Sequence, residues 1–463
     1  MTVVLGADLG TSGLKLAALD LDGVVVAESE AGYPVDRPHP GWAQTDVAVW
    51  RRALDDALAT LTDRLGGRAV AALGLAGQMH GAVLVDAAGV ALAPALLWSD
   101  QRADAQVQRW RDLPAADRAA LANPLVPGMT GPLLAWLGAH QPELLARTAT
   151  VLLPKDALRA TLLPGADPAV TDRSDASATL LWDVPGERWS AAAVVAAGVA
   201  STVLPAVRPG SAVVGTAQLP VGELPVVVGG ADTPLALLAV GTGSGVQINL
   251  GSGAQVLRPG AEPHSVADPA VHCYAAADQG WYAMAALQNG GLAWSWVCAV
   301  LGLTWPEFLA AAATAPPGAG GVAFVPYLTG ERGGIAGPQA RGSWSGLSAD
   351  TTRADLARAA LEGVVLAVAA ALDLVQPTPS DGLVVLTGGG TRDLVVQQLL
   401  ADVLGRPVRH AQVRSASAAG AAVLAARGIG VDLVPQRVRG PAVDPRPGPA
   451  LATARERWRT AAG

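Results

Sequence analysis

One aspartate stands out by where the chain delivers it. The apolar run LPVVVGGADTPLALL (224–238) places Asp232 after Gly-Gly-Ala and ahead of a helical pattern, where a carboxylate facing a cleft can act as a general base. The same stretch also reads as a helix start, with Thr233 as N-cap and Pro234 as first helical residue. The two readings are compatible, because the cap lies next door. Two turns offer donors to an anion. DLGTSGLK (8–15) brings Gly10, the Thr11 and Ser12 hydroxyls and the Lys15 charge, and LGSG (250–253) brings Gly251 and Ser252. Asp8 and Asp232 are the carboxylates that could face a divalent cation, Asp8 mainly through water. VVLTGGGTRDLVVQQLL (384–400) passes through Gly388 and Gly389 into a helix whose N-terminus suits a phosphate or base. GQMHG (77–81) and LLWSDQR (96–102) gather Met79, His80, Trp98, Asp100 and Arg102 in a field of Ala, Leu, Val and Gly. His80 sits at a strand end and reads as a ligand contact.

These residues need particular elements around them. VVLGAD reads as a buried strand, TSG as a turn and LKLAALDLDG as a second strand in which Leu14, Leu16 and Ala18 share a face. DLDG then turns into VVVAES. The glycines therefore lie inside a β-hairpin, whereas a P-loop or dinucleotide fingerprint runs from strand through glycine loop to helix. Neither GxxxxGK[ST] nor GxGxxG occurs. VQINLGSGAQV (246–256) repeats the hairpin in the other half of the chain. Two similar lobes follow, each giving one turn to a shared cleft, with a boundary near 245 and GTGSG (241–245) as the joint. Helices are expected over 46–65, 354–375 and 392–405, the last stopped by Gly405. The stretch PAVDPRPGP (441–449) reads as loop before a short helix. Strands and helices mix in both halves, which predicts α/β lobes.

Composition narrows the function classes. At 463 residues the chain is long enough for two or three domains, and 51% hydrophobic residues supply a large core. Net charge is −7 and no Lys/Arg block occurs, which argues against nucleic acid or an anionic membrane as partner. GVVLAVAAALDLV (363–375) carries Asp373 and is too short to span a bilayer, so it reads as a buried helix. Cys273 and Cys298 form no framework and no CxxC, and no signal peptide is seen, so a cytoplasmic protein is expected. The six histidines lack metal-ligand spacing, which argues against zinc, and GxSxG is absent. Of 32 basic residues only Lys15 and Lys155 are lysine.

DLGTSGLK, the LGSG hairpin and GGGTRDLVVQQLLADVLGRPV resemble the FGGY carbohydrate kinases. GQMHGAVLVD, LLWSDQRAD, LLPKDALRA, TDRSDASATLLWDV and PYLTGERGGIAGPQARGSWSGLS are most similar to the xylulokinases among them. The resemblance runs from residue 4 to about 427. It implies an α/β, two-lobed actin/hexokinase/Hsp70-like ATPase fold with ribonuclease-H-like lobes around a central cleft. Residues 1–245 would form the N-terminal lobe, with sugar and first phosphate loop, and 246–463 the nucleotide-binding C-terminal lobe. The implied reaction is phosphorylation of a ketose, D-xylulose first, by ATP with Mg²⁺, and the partner is a small sugar, with a homodimer as the expected assembly. By resemblance Asp232 is the catalytic base, and Met79, His80, Thr233, Trp98 and Asp100 belong to the sugar site. Gly10, Thr11, Ser12, Lys15, Gly251, Ser252, Gly291, Gly388, Gly389 and Asp393 belong to the nucleotide. Thr233 stands where xylulokinases commonly have Asn or Gln. That leaves FGGY kinases of ribulose, gluconate or glycerol as an alternative, and an actin- or Hsp70-like ATPase without a sugar site as another.

Overall fold

Both halves of the chain build a seven-stranded sheet around a central strand. In the first sheet, Thr2–Leu9 pairs antiparallel with Gly13–Asp20, which pairs with Val25–Gly32. On its other side Thr2–Leu9 runs parallel to Ala69–Gly77, followed by Gly222–Val227 and then Val213–Leu219. In the second sheet Gln247–Leu250 takes the central place, with Ala254–Pro259, Trp281–Leu287 and His272–Ala275 on one side. Val384–Thr387, Val408–Gln412 and Val438–Val443 lie on the other. In both sheets the central strand has its antiparallel hairpin partner on one side and a parallel strand on the other, as expected for paired ribonuclease-H-like lobes. The computed structural model describes residues 2–463 apart from Thr242, Ser244, Ser265, Pro379 and Pro447. Two of these belong to the expected joint at 241–245, so that expectation lies in part outside the described residues.

The first sheet is buried on both faces, which explains its near-continuous apolar strands. Leu14, Leu16 and Ala18 pack with the Val47–Leu65 helix in one core. Ala17 and Leu19 face the opposite way, into a layer built on the alanine-rich helix Ala416–Gly428. That helix lies almost on the strand backbone. A Cβ on Gly6 would come 1.7 Å from the Ala418 carbonyl oxygen, and one on Gly74 would come 2.0 Å from that of Ala421. The helix also packs on Asp232–Val240, so a late segment of the chain supports the early sheet.

The expected helices form close to their sequence bounds. Val47–Leu65 is capped by Asp46, whose carboxylate accepts the Ala48 N–H at 2.8 Å. Arg353–Val375 starts at a Thr352/Asp355 capping box and is buried along its apolar run. Asp373 leaves that run to pair with Arg455 at 2.6 Å. Leu394–Leu404 ends at Gly405, left-handed at φ 64°. The reading of 441–449 as loop is corrected in part, since Val438–Val443 is an edge strand. Pro441 fits there because it falls in a register shift opposite Arg409–Ala411, where a missing N–H breaks no ladder bond. The helix after it, Pro449–Ala462, has 14 residues. Among the described residues no single helix is long and apolar enough to cross a membrane.

Candidate active site

Asp232 lies where two cavities meet. One, of about 480 Å³, runs between the lobes and is lined by Asp8, Lys15, Gly388, Gly389 and Arg392. The other, of about 540 Å³, is lined by Met79, His80, Trp98, His272, Tyr274 and Arg332. Asp232, Thr233 and Gln255 line both. The short strand Gly230–Ala231 pairs parallel with Ala76–Gly77 and hands the chain to the Asp232–Val240 helix. The N-cap is Ala231, which corrects the expected Thr233-Pro234 start: the helix begins two residues earlier. Asp232 itself takes up a free first-turn donor, for its Oδ1 accepts the Thr233 N–H at 2.6 Å. Burial raises the Asp232 carboxyl to about 6 against the hydrogen bonds from Thr233 that lower it. It is therefore mostly ionised at neutral pH and close to the value a general base needs.

The first turn forms a third cavity, of about 390 Å³, lined by Asp8, Gly10, Thr11, Ser12 and Lys15. Gly10 closes the hairpin by donating its N–H to the Gly13 carbonyl at 3.0 Å. Thr11 also reaches the second cavity, and its hydroxyl accepts from Trp98 Nε1 at 2.9 Å. Asp8 Oδ1 is buried without a hydrogen-bond partner. Burial, then the Asp232 charge, push Asp8 up to about 7, with Lys15 opposing. A buried carboxylate with an oxygen left unpartnered among the described residues, beside a glycine-rich turn, fits a hydrated Mg²⁺. Among the described residues no group of three or more His, Cys, Asp or Glu converges on a metal position.

The second turn does something the sequence did not disclose. The carbonyls of Gly251 and Ser252 accept the N–H groups of Gly291, Gly290 and Leu292 at 2.8–3.0 Å. The N-terminus of the Gly291–Leu301 helix is thereby satisfied by the turn, and a Cβ on Gly290 or Gly291 would collide with it. Gly251, Ser252 and Gly291 thus form one unit beside the cleft, and none of them lines the three cavities. Gly388, at φ 88°, packs against Leu250, while Gly389 faces open space. Asp393 caps the Leu394–Leu404 helix through the Val395 N–H at 2.8 Å and lines none of those cavities.

His80 holds a left-handed conformation, φ 65°, unusual for a residue other than glycine. Its Nδ1 lies 2.5 Å from the Ala178 carbonyl oxygen, which can only accept, so Nδ1 carries the proton. Burial lowers its pKa to about 4, leaving neutral imidazole with Nε2 as an acceptor. Met79 accepts from the Tyr282 hydroxyl at 3.8 Å. Asp100 does not reach the cavity. It is fully buried, accepts the Ala43 N–H at 2.7 Å and pairs with Arg102, whose guanidinium lies 3.7 Å from the Trp42 ring centroid.

Several lining residues escaped sequence reasoning. Arg332 lies 5.5 Å from the Trp98 ring centroid, and among the described residues no hydrogen bond or ion pair engages its guanidinium. The neighbouring Glu331 is buried and accepts from Gln288 N–H at 2.6 Å, Asn289 Nδ2 at 2.9 Å and Arg332 N–H at 2.9 Å. Their signal was the GER triplet, which lies in a segment used only for resemblance. His272 and Tyr274 stack at 5.0 Å on a strand that reads simply as β-structure.

Known proteins align with this arrangement along nearly the whole chain. The N-terminal domain of the FGGY family of carbohydrate kinases matches residues 3–239 and the C-terminal domain matches 239–429. A xylulose kinase of Escherichia coli (strain K12) is 36% identical over 91% of this chain and 88% of its own. One from Streptomyces coelicolor is 34% identical over 92% and 87%. The crystal structure of xylulose kinase from Rhodospirillum rubrum superposes with a TM-score of 0.88 at 29% identity, covering 99% of this chain and 97% of that one. A glycerol kinase with ADP from Plasmodium falciparum, at 18% identity and TM-score 0.86, shares the fold. With both family domains matched across residues 3–429, this chain belongs to the FGGY family of carbohydrate kinases.

Proposed function

We propose that this carbohydrate kinase transfers the γ-phosphoryl group of ATP to D-xylulose, giving D-xylulose 5-phosphate. The observation that carries the reading is the position of Asp232, shared by a cleft lined with phosphate-type turns and a pocket lined with neutral polar and aromatic groups. The whole-length similarity to xylulose kinases supports the choice of sugar. Oδ1 of Asp232 is occupied by Thr233, so Oδ2 is the oxygen that accepts the proton of the attacking hydroxyl. His80 Nε2 accepts from a sugar hydroxyl, and Met79 and Trp98 supply apolar wall. Thr11, Ser12 and Lys15 hold phosphate oxygens, with Gly388 and Gly389 along the nucleotide. Asp8 and Asp232 would hold Mg²⁺, which when bound would neutralise charge on the phosphate oxygens. Phosphoryl transfer passes through a loose transition state, so these residues act mainly by positioning and by offsetting charge.

We assign sugar binding to residues 1–245 and nucleotide binding to 246–463, with closure about 241–245 excluding water. A cytoplasmic homodimer completes the reading. The exposed stripe Leu292, Trp296 and Val300 is the surface a second copy would cover, checked by sedimentation of a Trp296→Glu variant. The test of function is ADP release with ATP, Mg²⁺ and a panel of D-xylulose, L-xylulose, ribuloses, glycerol and gluconate, beside Asp232→Ala. D-Xylulose should give the highest kcat/KM and the variant should lose it. Another preferred sugar keeps the chemistry and moves the substrate, whereas no sugar-dependent release would overturn both.

A further inference from the structure

Lys15 lines the phosphate cleft, but nothing so far uses Lys155, the other lysine. Its side chain is fully buried, with Nζ 2.7 Å from Asp156 Oδ1, 2.9 Å from Asp175 Oδ2 and 3.1 Å from Asp172 Oδ1. Arg159 joins through Asp156 Oδ1 at 2.5 Å and the Val228 carbonyl at 2.8 Å. Three carboxylates converge on one point charge with three donors, a geometry that a planar guanidinium cannot match. This accounts for a lysine in a chain that otherwise uses arginine. Burial raises the Asp175 carboxyl above the usual carboxylate range, against the pull of the Lys155 charge.

Such a cluster contributes little net stability compared with apolar packing. What it does is reach the catalytic helix. Asp172 Oδ2 accepts the backbone N–H of Ser174 at 2.7 Å and also its hydroxyl. A serine hydroxyl has one proton. With that proton spent on Asp172, Oγ presents a lone pair, and it accepts the Ala231 N–H at 3.0 Å. Ala231 is the N-cap directly before Asp232. Its strand partner is Gly77, where a Cβ would lie 2.7 Å from the Lys155 Cβ. One buried hub therefore braces both the strand leading to Met79 and His80 and the residue leading to Asp232.

We propose that Ser174, oriented by the Lys155–Asp172 pair, is a positioning residue that fixes Asp232 between the two cavities. The inference rests on Asp232 as the base. The test compares Ser174→Ala, Asp232→Ala and the double variant by single-turnover phosphorylation of D-xylulose, with folding checked by circular dichroism. Ser174→Ala should lower kcat by about ten- to a hundredfold, the scale of a small misplacement, while the sugar KM stays within about threefold. It should cause no further loss in the Asp232→Ala background, because it acts only through that residue. Ser174→Thr, which keeps the hydroxyl, should recover most of kcat. If Ser174→Ala does not fold, Asp172→Asn is measured in the same way, with the same expected loss. Wild-type turnover in folded Ser174→Ala, or an equal loss in both backgrounds, overturns the proposal alone. Wild-type turnover in Asp232→Ala overturns the base reading and the proposal with it.

Discussion

The backbone N–H of Thr233 donates to Oδ1 of Asp232 at 2.6 Å, and the Thr233 hydroxyl donates to the same oxygen at 3.2 Å. The threonine that stands at an expected sugar-contact position is thus turned toward the proposed base. Its hydroxyl stabilises the ionised carboxylate and counters the burial that lifts Asp232 to about 6. Thr233→Val removes that donor, so the Asp232 pKa should rise further. The base must be ionised to act, and the acid limb of the kcat/KM profile should therefore move to higher pH. Loss of activity should be larger at pH 6 than at pH 8. An unmoved limb would mean that the hydroxyl serves the sugar instead.

Arg332 comes from a loop of the C-terminal half and lies over Trp98 of the N-terminal half. Among the described residues none hydrogen-bonds its guanidinium, so in the proposed function its donors would serve the sugar. Arg332→Leu should lower kcat/KM for the sugar by about tenfold, the scale of one cation–π contact or hydrogen bond. The KM for ATP should change less. Steady-state titration of both substrates checks this, and a loss confined to ATP would contradict it.

The Lys155 hub makes a stability prediction separate from its catalytic one. Lys155→Met leaves three buried carboxylates facing one another with only Arg159 to offset them. Breaking a buried pair by removing one partner costs about 3–5 kcal/mol. A fall of several degrees in Tm is expected by calorimetry. Lys155→Arg should also be destabilised despite its charge, since direction and not charge alone satisfies the three acceptors.

Much of this architecture was legible in the sequence because it rests on local chemistry. The two hairpins, the helix expected over 46–65 and the stop at Gly405 follow from alternation, helical pattern and glycine, all set within a few residues. Asp232 was legible for the same reason. What the sequence hid depends on contacts across the chain. Asp100 reads as a sugar ligand from its neighbours, but Arg102 and the Ala43 N–H have claimed it. Gly291 reads as open to nucleotide, but its N–H is spent on Gly251. Pro441 reads as loop because a proline cannot show from sequence that it lies at a strand register shift.

A close approach of helix to sheet yields the last prediction. Gly74 lies beneath the Ala416–Gly428 helix, and a Cβ there would stand 2.0 Å from the Ala421 carbonyl oxygen and 3.3 Å from the Ala425 Cβ. Neither backbone can yield alone, since the strand is hydrogen-bonded to Thr2–Leu9 and the helix is packed on Asp232–Val240. Gly74→Ala must therefore lift the helix from the sheet. Overpacking of this kind costs about 1–3 kcal/mol, and occasionally more. Because the same helix backs Asp232, the damage should reach catalysis as well as stability. The expected result is a lower Tm, faster hydrogen exchange over 416–428 and a reduced kcat in the protein that remains folded. An unchanged exchange rate in that helix would show that the strand gives way instead, and kcat would then report on Gln78–His80 at the end of the same strand.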